Sequence, residues 1–198
     1  MSIVAKPVGI YRTIVADPPW AQGDYPTHLG GRLVLGRGET KRPPLPYPSM
    51  SLDALRALPI EEMAENDARL FMWTTSRFLP ESFSIVAAWG FRYRQMIVWH
   101  KSVNGSPFVT HIAPSHAEFL LVAAKGKPPR TGQFPSSVIP VPSGCGGGGR
   151  RHSQKPDVFL DLIEQTSPGP YLELFARRTR LGWDTWGNEA LEHVEMAL

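Results

Sequence analysis

Cysteine and long apolar runs are scarce in this chain. Cys145 is the single cysteine among 198 residues, which excludes an internal disulfide framework and favours a reducing compartment. Each apolar run is shorter than the roughly 18 residues of a membrane-spanning helix. Residues 1–9 lack an apolar segment flanked by basic residues, so we expect no secretory signal. We therefore expect a cytoplasmic protein without membrane association.

Motifs for metal ions, phosphates and covalent nucleophiles are also missing. The histidines show no metal-ligand spacing, and no G-x-S-x-G nucleophile elbow occurs. The stretch "GRGETK" lacks the spacing of a phosphate-binding loop, and Pro43 and Pro44 follow where a helix should begin. We expect no metal ion and no nucleoside triphosphate. The sequence remains compatible with a nucleoside-like cofactor that needs no phosphate site.

Acidic residues are absent from one long segment. Between Lys125 and Lys155 the chain carries lysines, arginines, prolines and glycines but no Asp or Glu. Residues 21–48 are also rich in proline and glycine, with an excess of basic residues. We predict one domain, 1–198, with long loops at about 21–48 and 125–155. A flexible basic loop is typical of proteins that bind a polyanion, although it can also be a solvated surface loop.

Apolar patterning predicts strands that alternate with helices. Strands are expected at 11–16, 69–75, 92–101, 117–124 and 171–175, and helices from Ser51 and at 78–89 and 156–165. This alternation is typical of an α/β fold with a mainly parallel sheet. Ligands of such sheets bind beyond the carboxyl ends of the strands. The residues that follow Ala16 and Phe175 are therefore candidates for the functional site.

The first of these strands runs into Asp17-Pro18-Pro19-Trp20. The two prolines have no backbone N–H and a fixed φ, so the corner offers acceptors and almost no donors. The exocyclic amine of adenine or cytosine matches this, because two acceptors could hold its hydrogens and free its lone pair for attack. Trp20 would add a stacking face for the base. We predict that all four residues are catalytic; a structural proline turn with an incidental acid is the alternative.

A second polar group follows the last predicted strand. This strand carries Glu173 and Phe175, Arg177 comes directly after it, and "GWDTWGNE" contains Asn188 and Glu189. Polar side chains at this edge of a sheet suit ribose hydroxyls or a carboxylate. We predict that these five residues bind a cofactor, although Arg177 could equally form a surface ion pair.

The ordered motifs resemble a known family. They are "IVADPPW", "LPYPSMSLDALRALPI", "LFMWTT", "GFRYRQMIVWHKS", "HAEFLLVAAKG", "SQKPDVFLDLIEQTSPG", "YLELFAR" and "GWDTWGNE". Together they are similar to the adenine-N6 methyltransferases typified by the catalytic subunit of the messenger-RNA N6-adenosine methyltransferase. The catalytic motif precedes the cofactor strand, as in the permuted beta class of DNA amino-methyltransferases. The resemblance implies a Rossmann-like methyltransferase sheet flanked by helices.

The resemblance also implies S-adenosylmethionine (SAM) as the methyl donor and assigns roles to residues. Asp17 and Pro18 would hold the N6 amine, and Asp17 would also lie near the methionine end of the donor. Lys155 matches the lysine near the donor carboxylate. The positions on the ribose and adenine side are Arg177, Asn188 and Glu189, the last standing where glutamine is common. The positions that line the acceptor pocket are Tyr47, Lys101 and Glu118.

The expected activity is therefore SAM-dependent methylation of the adenine N6 amine in nucleic acid. We favour DNA over RNA, because the chain is compact and lacks zinc-finger Cys/His pairs. Methylation of RNA adenosine, methylation of cytosine N4 and an inactive nucleic-acid-binding partner subunit are the alternatives. The protein could act as a homodimer or with a partner subunit.

Overall fold

The computed structural model describes residues 10–20, 49–102, 116–142 and 155–187. In these residues the strands are β1 (Tyr11–Ala16), β2 (Ala64–Thr74), β3 (Arg92–Ser102), β4 (Ala117–Lys125), β5 (Val138–Pro142), β6 (Tyr171–Leu174) and β7 (Trp183–Trp186). The helices are α1 (Leu52–Arg56), α2 (Ile60–Met63), α3 (Leu79–Ala88) and α4 (Val158–Thr166). None of these helices is both long and apolar enough to cross a membrane.

The strands form one sheet in the order β5-β3-β4-β2-β1-β6-β7. All neighbours pair in parallel except β4, which is antiparallel to both β2 and β3. Because β4 runs backwards, its first residues lie at the edge where the other strands end. The predicted α/β fold with helices around a mainly parallel sheet is confirmed.

Alternating side chains of the central strands build a core on each face of the sheet. Ile14 and Ala16 of β1 belong to the cluster that packs under α1, α2 and α3. Val15, between them, belongs to the cluster that packs under α4. A strand covered on both faces is apolar almost throughout, which explains why β1 was recognised from the sequence.

Strand β1 also marks the point where the order of the strands reverses. β2 lies on one side of β1, and β6, which comes much later in the chain, lies on the other. Ligands of open α/β sheets bind in the crevice at such a switch point. The end of β1 and the end of β6 therefore flank the expected site.

The structure differs from the sequence prediction at two edge strands. The described part of the predicted loop 125–155 contains β5, and β7 was not predicted. Pro140 and Pro142 argued against a strand, but β5 is an edge strand, where proline is tolerated. β7 has only four residues, too few to show a periodic pattern. The predicted loop 21–48 lies outside the described residues.

Candidate active site

The two backbone N–H groups of the Asp17-Pro18-Pro19-Trp20 corner point to protein carbonyls. The Asp17 N–H points to the Leu174 carbonyl at 3.4 Å, and the Trp20 N–H donates to the Pro18 carbonyl at 2.9 Å. The Pro19 carbonyl accepts from the Met50 N–H at 2.9 Å. A carbonyl oxygen has two lone pairs, so the Pro18 oxygen keeps acceptor capacity. The donor-poor corner expected from the prolines is thus present in the structure.

Trp20 departs from its predicted role. Its side chain is only 8% exposed and stacks on Phe78, with ring centroids 5.1 Å apart and planes 11° from parallel. The expectation that Trp20 offers an open stacking face for a base is wrong for this arrangement. Packing in the core beneath the corner removes the large apolar ring from water, which stabilises the fold. Trp20 therefore anchors the corner.

A chain of four charged side chains starts at the corner. The Lys155 ammonium lies 2.8 Å from Asp17 Oδ2 and 3.3 Å from Glu118 Oε2. The other Glu118 oxygen accepts a hydrogen bond from Lys101. Asp17 follows β1, Glu118 begins β4, and Lys101 ends β3, so the topology brings all three to one edge. Two carboxylates alternate with two ammonium groups along this chain, so its net charge is zero.

The charges in this chain hold one another ionised. Burial alone would lower the pKa of Lys155, but the nearby Asp17 and Glu118 carboxylates outweigh burial and raise it. Burial alone would raise the pKa of Glu118, but Lys155 and Lys101 outweigh burial and lower it. Lys155 is therefore an ammonium and Glu118 a carboxylate at neutral pH.

A cleft opens beside this chain, between the ends of β1 and β6. Its lining combines charged and apolar side chains: Asp17, Trp73, Lys155, Pro156, Phe159, Leu160, Glu173, Phe175, Arg177 and Arg178. Oε2 of Glu173 is buried and has no hydrogen-bond partner among the residues that the structure describes. Burial and then the charge of Asp17 raise the pKa of Glu173 to about 7. The cleft thus holds both signs of charge within an apolar wall.

The chain leaves β6 through an unusual backbone conformation. Phe175 has a φ of 62°, in the left-handed region that costs a non-glycine residue about 1–3 kcal/mol. Its ring packs on Trp186, with centroids 5.1 Å apart. A Cβ on Gly187 would lie 2.2 Å from the Ala176 carbonyl oxygen, so only glycine fits against this turn. The turn directs the segment with Arg177 along the cleft.

Most of the predicted site residues that are described lie at this edge. The lining includes Asp17, Lys155, Glu173, Phe175 and Arg177, and contacts through Glu118 extend the group to Lys101. The other predicted contacts, Tyr47, Asn188 and Glu189, lie outside the described residues.

The sequence did not single out the apolar wall. The apolar pattern places Trp73 only in a buried strand, and Phe159 and Leu160 only in an amphipathic helix. The Lys155 ammonium lies 5.6 Å from the centre of the Trp73 ring, a cation–π distance. The position of Trp73 near the end of a buried strand was the one available signal. Which end of α4 faces the cleft depends on tertiary packing.

Comparison with known proteins identifies the family. The MT-A70 family model matches residues 11–189. This chain belongs to the MT-A70 family. The Type II methyltransferase M.MunI of Mycoplasma sp is 32% identical over 196 residues, covering 90% of this chain and 77% of M.MunI. The family expected from the ordered motifs is confirmed.

Two longer eukaryotic members of the family are also similar. The N(6)-adenine-specific methyltransferase METTL4 of Mus musculus is 28% identical over 94% of this chain and 39% of its own length. The N(6)-adenosine-methyltransferase catalytic subunit METTL3 of Homo sapiens is 27% identical over 92% of this chain and 28% of its own length. The chain thus spans less than half of each of these two relatives.

Proposed function

We propose that this MT-A70 enzyme transfers a methyl group from SAM to the N6 amine of adenine in nucleic acid, with DNA as the favoured substrate. The observation that carries the proposal is the donor-poor corner beside the cleft. The Asp17 carboxylate and the Pro18 carbonyl are acceptors at the end of β1; the Asp17 N–H points to the Leu174 carbonyl, and Pro18 has no N–H. An amine with two N–H groups is the complementary ligand.

The cleft fits SAM by the chemistry of its side chains. SAM carries a carboxylate, an ammonium and a sulfonium, together with ribose and adenine. Lys155 and Arg177 provide positive charge for the carboxylate, and Glu173 brings a buried oxygen, without a partner in the described part of the chain, for a cation or a hydroxyl donor. Phe159 and Leu160 offer apolar surface for the rest of the molecule. SAM supplies an electrophilic methyl group on its sulfonium sulfur.

In the proposed mechanism the chain's own residues orient the acceptor. Asp17 and the Pro18 carbonyl each accept one hydrogen of the amine, which favours a pyramidal nitrogen with its lone pair directed at the donor. Such preorganised acceptors require no rearrangement during the reaction. As the nitrogen gains the methyl group it must lose a proton, and the Asp17 carboxylate is the adjacent acceptor. Transfer is direct and needs no covalent enzyme intermediate.

Two of the other charged residues, Lys101 and Glu118, support this arrangement from the acceptor side. Lys101 lies 4.8 Å from the centre of the Trp99 ring and donates to Glu118. Glu118 in turn contacts Lys155, whose side chain is only 17% exposed. We propose that Lys101 and Glu118 line the pocket for the flipped base together with Tyr47. Extrusion of a base from a duplex costs a few kcal/mol, which such contacts must offset.

The names of the relatives favour DNA and keep RNA as the alternative. M.MunI is named as a type II methyltransferase and METTL4 as adenine-specific, whereas METTL3 is named for adenosine. Cytosine N4 is a weaker candidate, because both eukaryotic names specify N6 of the purine. An inactive partner subunit is disfavoured, because the corner keeps its acid and both prolines.

Mass spectrometry of nucleosides tests base and polymer together. DNA and RNA of mixed sequence are incubated with the protein and methyl-labelled SAM, digested to nucleosides and analysed. We expect labelled N6-methyladenine nucleoside from DNA at a higher yield than from RNA. Asp17→Ala serves as the background control, since it should lose transfer while SAM binding weakens less. Label in N4-methylcytosine, or equal label with the variant, would contradict the proposal.

The partners and the location of the chain are also proposals. The single cysteine supports a reducing, cytoplasmic location. A homodimer or a partner subunit would supply nucleic-acid contacts beyond those of the cleft. The oligomeric state measured by light scattering, with and without DNA, tests this part.

A further inference from the structure

Glu173 is a partly buried acid to which the proposed mechanism gives no task in the methyl transfer itself. It lies in β6 opposite Val15 of β1, two residues before Asp17. Both Glu173 and Asp17 line the cleft, and Oε2 of Glu173 has no hydrogen-bond partner among the described residues. A buried carboxylate oxygen without a partner is costly, so its presence at a ligand cleft indicates a missing partner.

The surroundings of Glu173 indicate which kind of partner is missing. Asp17 repels the Glu173 charge, and Arg180 offers partial compensation. Arg180 is itself held by Asp161 and Glu164, while Lys155 is shared by Asp17 and Glu118. The remaining charged residues of the cleft are Arg177 and Arg178, and Arg178 pairs with Asp157. Among the described residues, Glu173 Oε2 therefore faces the cleft beside Asp17 without a hydrogen-bond partner of its own, where a positively charged ligand group can bind.

We propose that Glu173, together with Asp17, selects the positively charged methyl donor over its neutral product by attracting the sulfonium. This inference rests on the proposed function. SAM carries a sulfonium, and loss of its methyl group to the amine leaves a neutral thioether in S-adenosylhomocysteine (SAH). The S–C bond breaks as the N–C bond forms, so the positive charge leaves the sulfur during the reaction. Glu173 then loses its partner, which promotes product release.

Titration calorimetry with SAM and SAH tests the inference without any methyl transfer. The two ligands share their amino, carboxyl, ribose and adenine groups, so their affinity ratio isolates the sulfonium charge. At pH 8 we expect Glu173→Gln to reduce the SAM-to-SAH affinity ratio by about tenfold, the change that one pKa unit of charge interaction represents. Sinefungin, which carries an amine near the position of the sulfonium, should lose affinity in parallel with SAM. An unchanged ratio would overturn the inference.

The matched control is Glu65→Gln. Glu65 is also a glutamate of the sheet, but it pairs with Arg12 and does not line the cleft. We expect this variant to keep the wild-type ratio at both pH 6 and pH 8. A loss of ratio equal to that of Glu173→Gln would overturn the inference, because the effect would then not depend on the cleft acid.

The pH dependence of the wild-type protein gives a second measurement that requires no variant. Because burial and Asp17 raise the pKa of Glu173 to about 7, the ratio should fall as the pH is lowered from 8 to 6. Titration of the donor's own amine cancels in the ratio. A ratio that stays constant from pH 8 to pH 6 would overturn the inference while leaving the proposed function intact. If neither SAM nor SAH binds the wild-type protein, the proposed function fails and the inference with it.

Discussion

The two edges of the sheet formed by the ends of its strands differ in how their polar groups are paired. At the edge where the parallel strands begin, which we call the closed edge, Arg69 donates to the Pro128 and Pro129 carbonyls and, at 2.8 Å, to Ser167 Oγ. Thr13 bonds to the same serine at 2.6 Å. At the edge where these strands end, the cleft edge, Glu173 Oε2 finds no such partner among the described residues.

The polar groups of the closed edge stabilise the fold, whereas those of the cleft edge are available to bind a ligand. Arg69, Thr13 and Ser167 at the closed edge bond to one another or to protein carbonyls, so their removal should affect stability and leave chemistry intact. The charges of the cleft edge repel one another or are shared between several partners, which lowers stability and prepares the site. Residue type alone does not distinguish the two edges, since both contain aspartate and arginine.

The largest expected effect is loss of methyl transfer in Asp17→Asn. Asparagine keeps the size of the side chain but replaces one acceptor with a donor, which conflicts with the amine hydrogens. We expect the rate of transfer from labelled SAM to fall by about 10³-fold, similar to the loss of a preorganised group at other active sites. The matched control at the closed edge is Asp184→Asn, whose carboxylate accepts from the Tyr11 hydroxyl at 2.6 Å. Comparable loss in both variants would break the distinction between the edges.

Arg69→Met should produce the largest loss of stability. Arg69 is half-buried, and its removal takes away the charged donor to the partly buried Pro128 carbonyl and to Ser167 Oγ. We expect the free energy of unfolding in urea to fall by about 2–3 kcal/mol, with methyl transfer by the folded fraction retained. Arg94→Met, an exposed arginine of β3, should change the stability by less than about 0.5 kcal/mol. Equal free energies of unfolding for the two variants would show that the hydrogen bonds of Arg69 do not stabilise the closed edge.

The sequence predicted the elements that bury apolar side chains on a regular period. β1, β3, β4, α3 and α4 were located to within a few residues, because their apolar patterns are strong. β5 and β7 were missed because edge strands need little periodic burial. The reversed direction of β4 was not foreseen, since pairing direction depends on the order of strands in space.

The candidate site was predictable in its charged residues but not in their partners. The acid after β1 and the polar residues after β6 follow from the rule that ligands bind at carboxyl ends. That Lys155 would bridge Asp17 and Glu118 could not be foreseen, because the three residues are far apart in the chain. The packing of Trp20 on Phe78 was likewise hidden, and it changed the role expected for Trp20.

Glu173→Gln should stabilise the protein at high pH. The pKa of Glu173 is raised in the folded state to about 7 from an ordinary value of 4.5, so the folded protein binds more protons between these values. Stability should therefore fall as the pH rises from about 4.5 to 7, and the variant should not show this loss. We expect a gain of about 1–2 kcal/mol for the ligand-free variant at pH 8 and almost none near pH 4.5, measured by urea unfolding. The same gain at both pH values would indicate a packing effect instead of relief of a strained charge.

The smallest expected effect belongs to Glu65→Gln. The Arg12 guanidinium lies 2.8 Å from Glu65 Oε2, but the two side chains are 35% and 26% exposed. Water screens such a pair, and Arg12 also donates to the Gly169 carbonyl at 3.3 Å, so it keeps an acceptor in the variant. We expect the free energy of unfolding to change by less than about 1 kcal/mol, and by less again at high salt. A larger loss of unfolding free energy that does not depend on salt would show that partly exposed ion pairs also stabilise the closed edge. The two edges would then differ only in their contacts with a ligand.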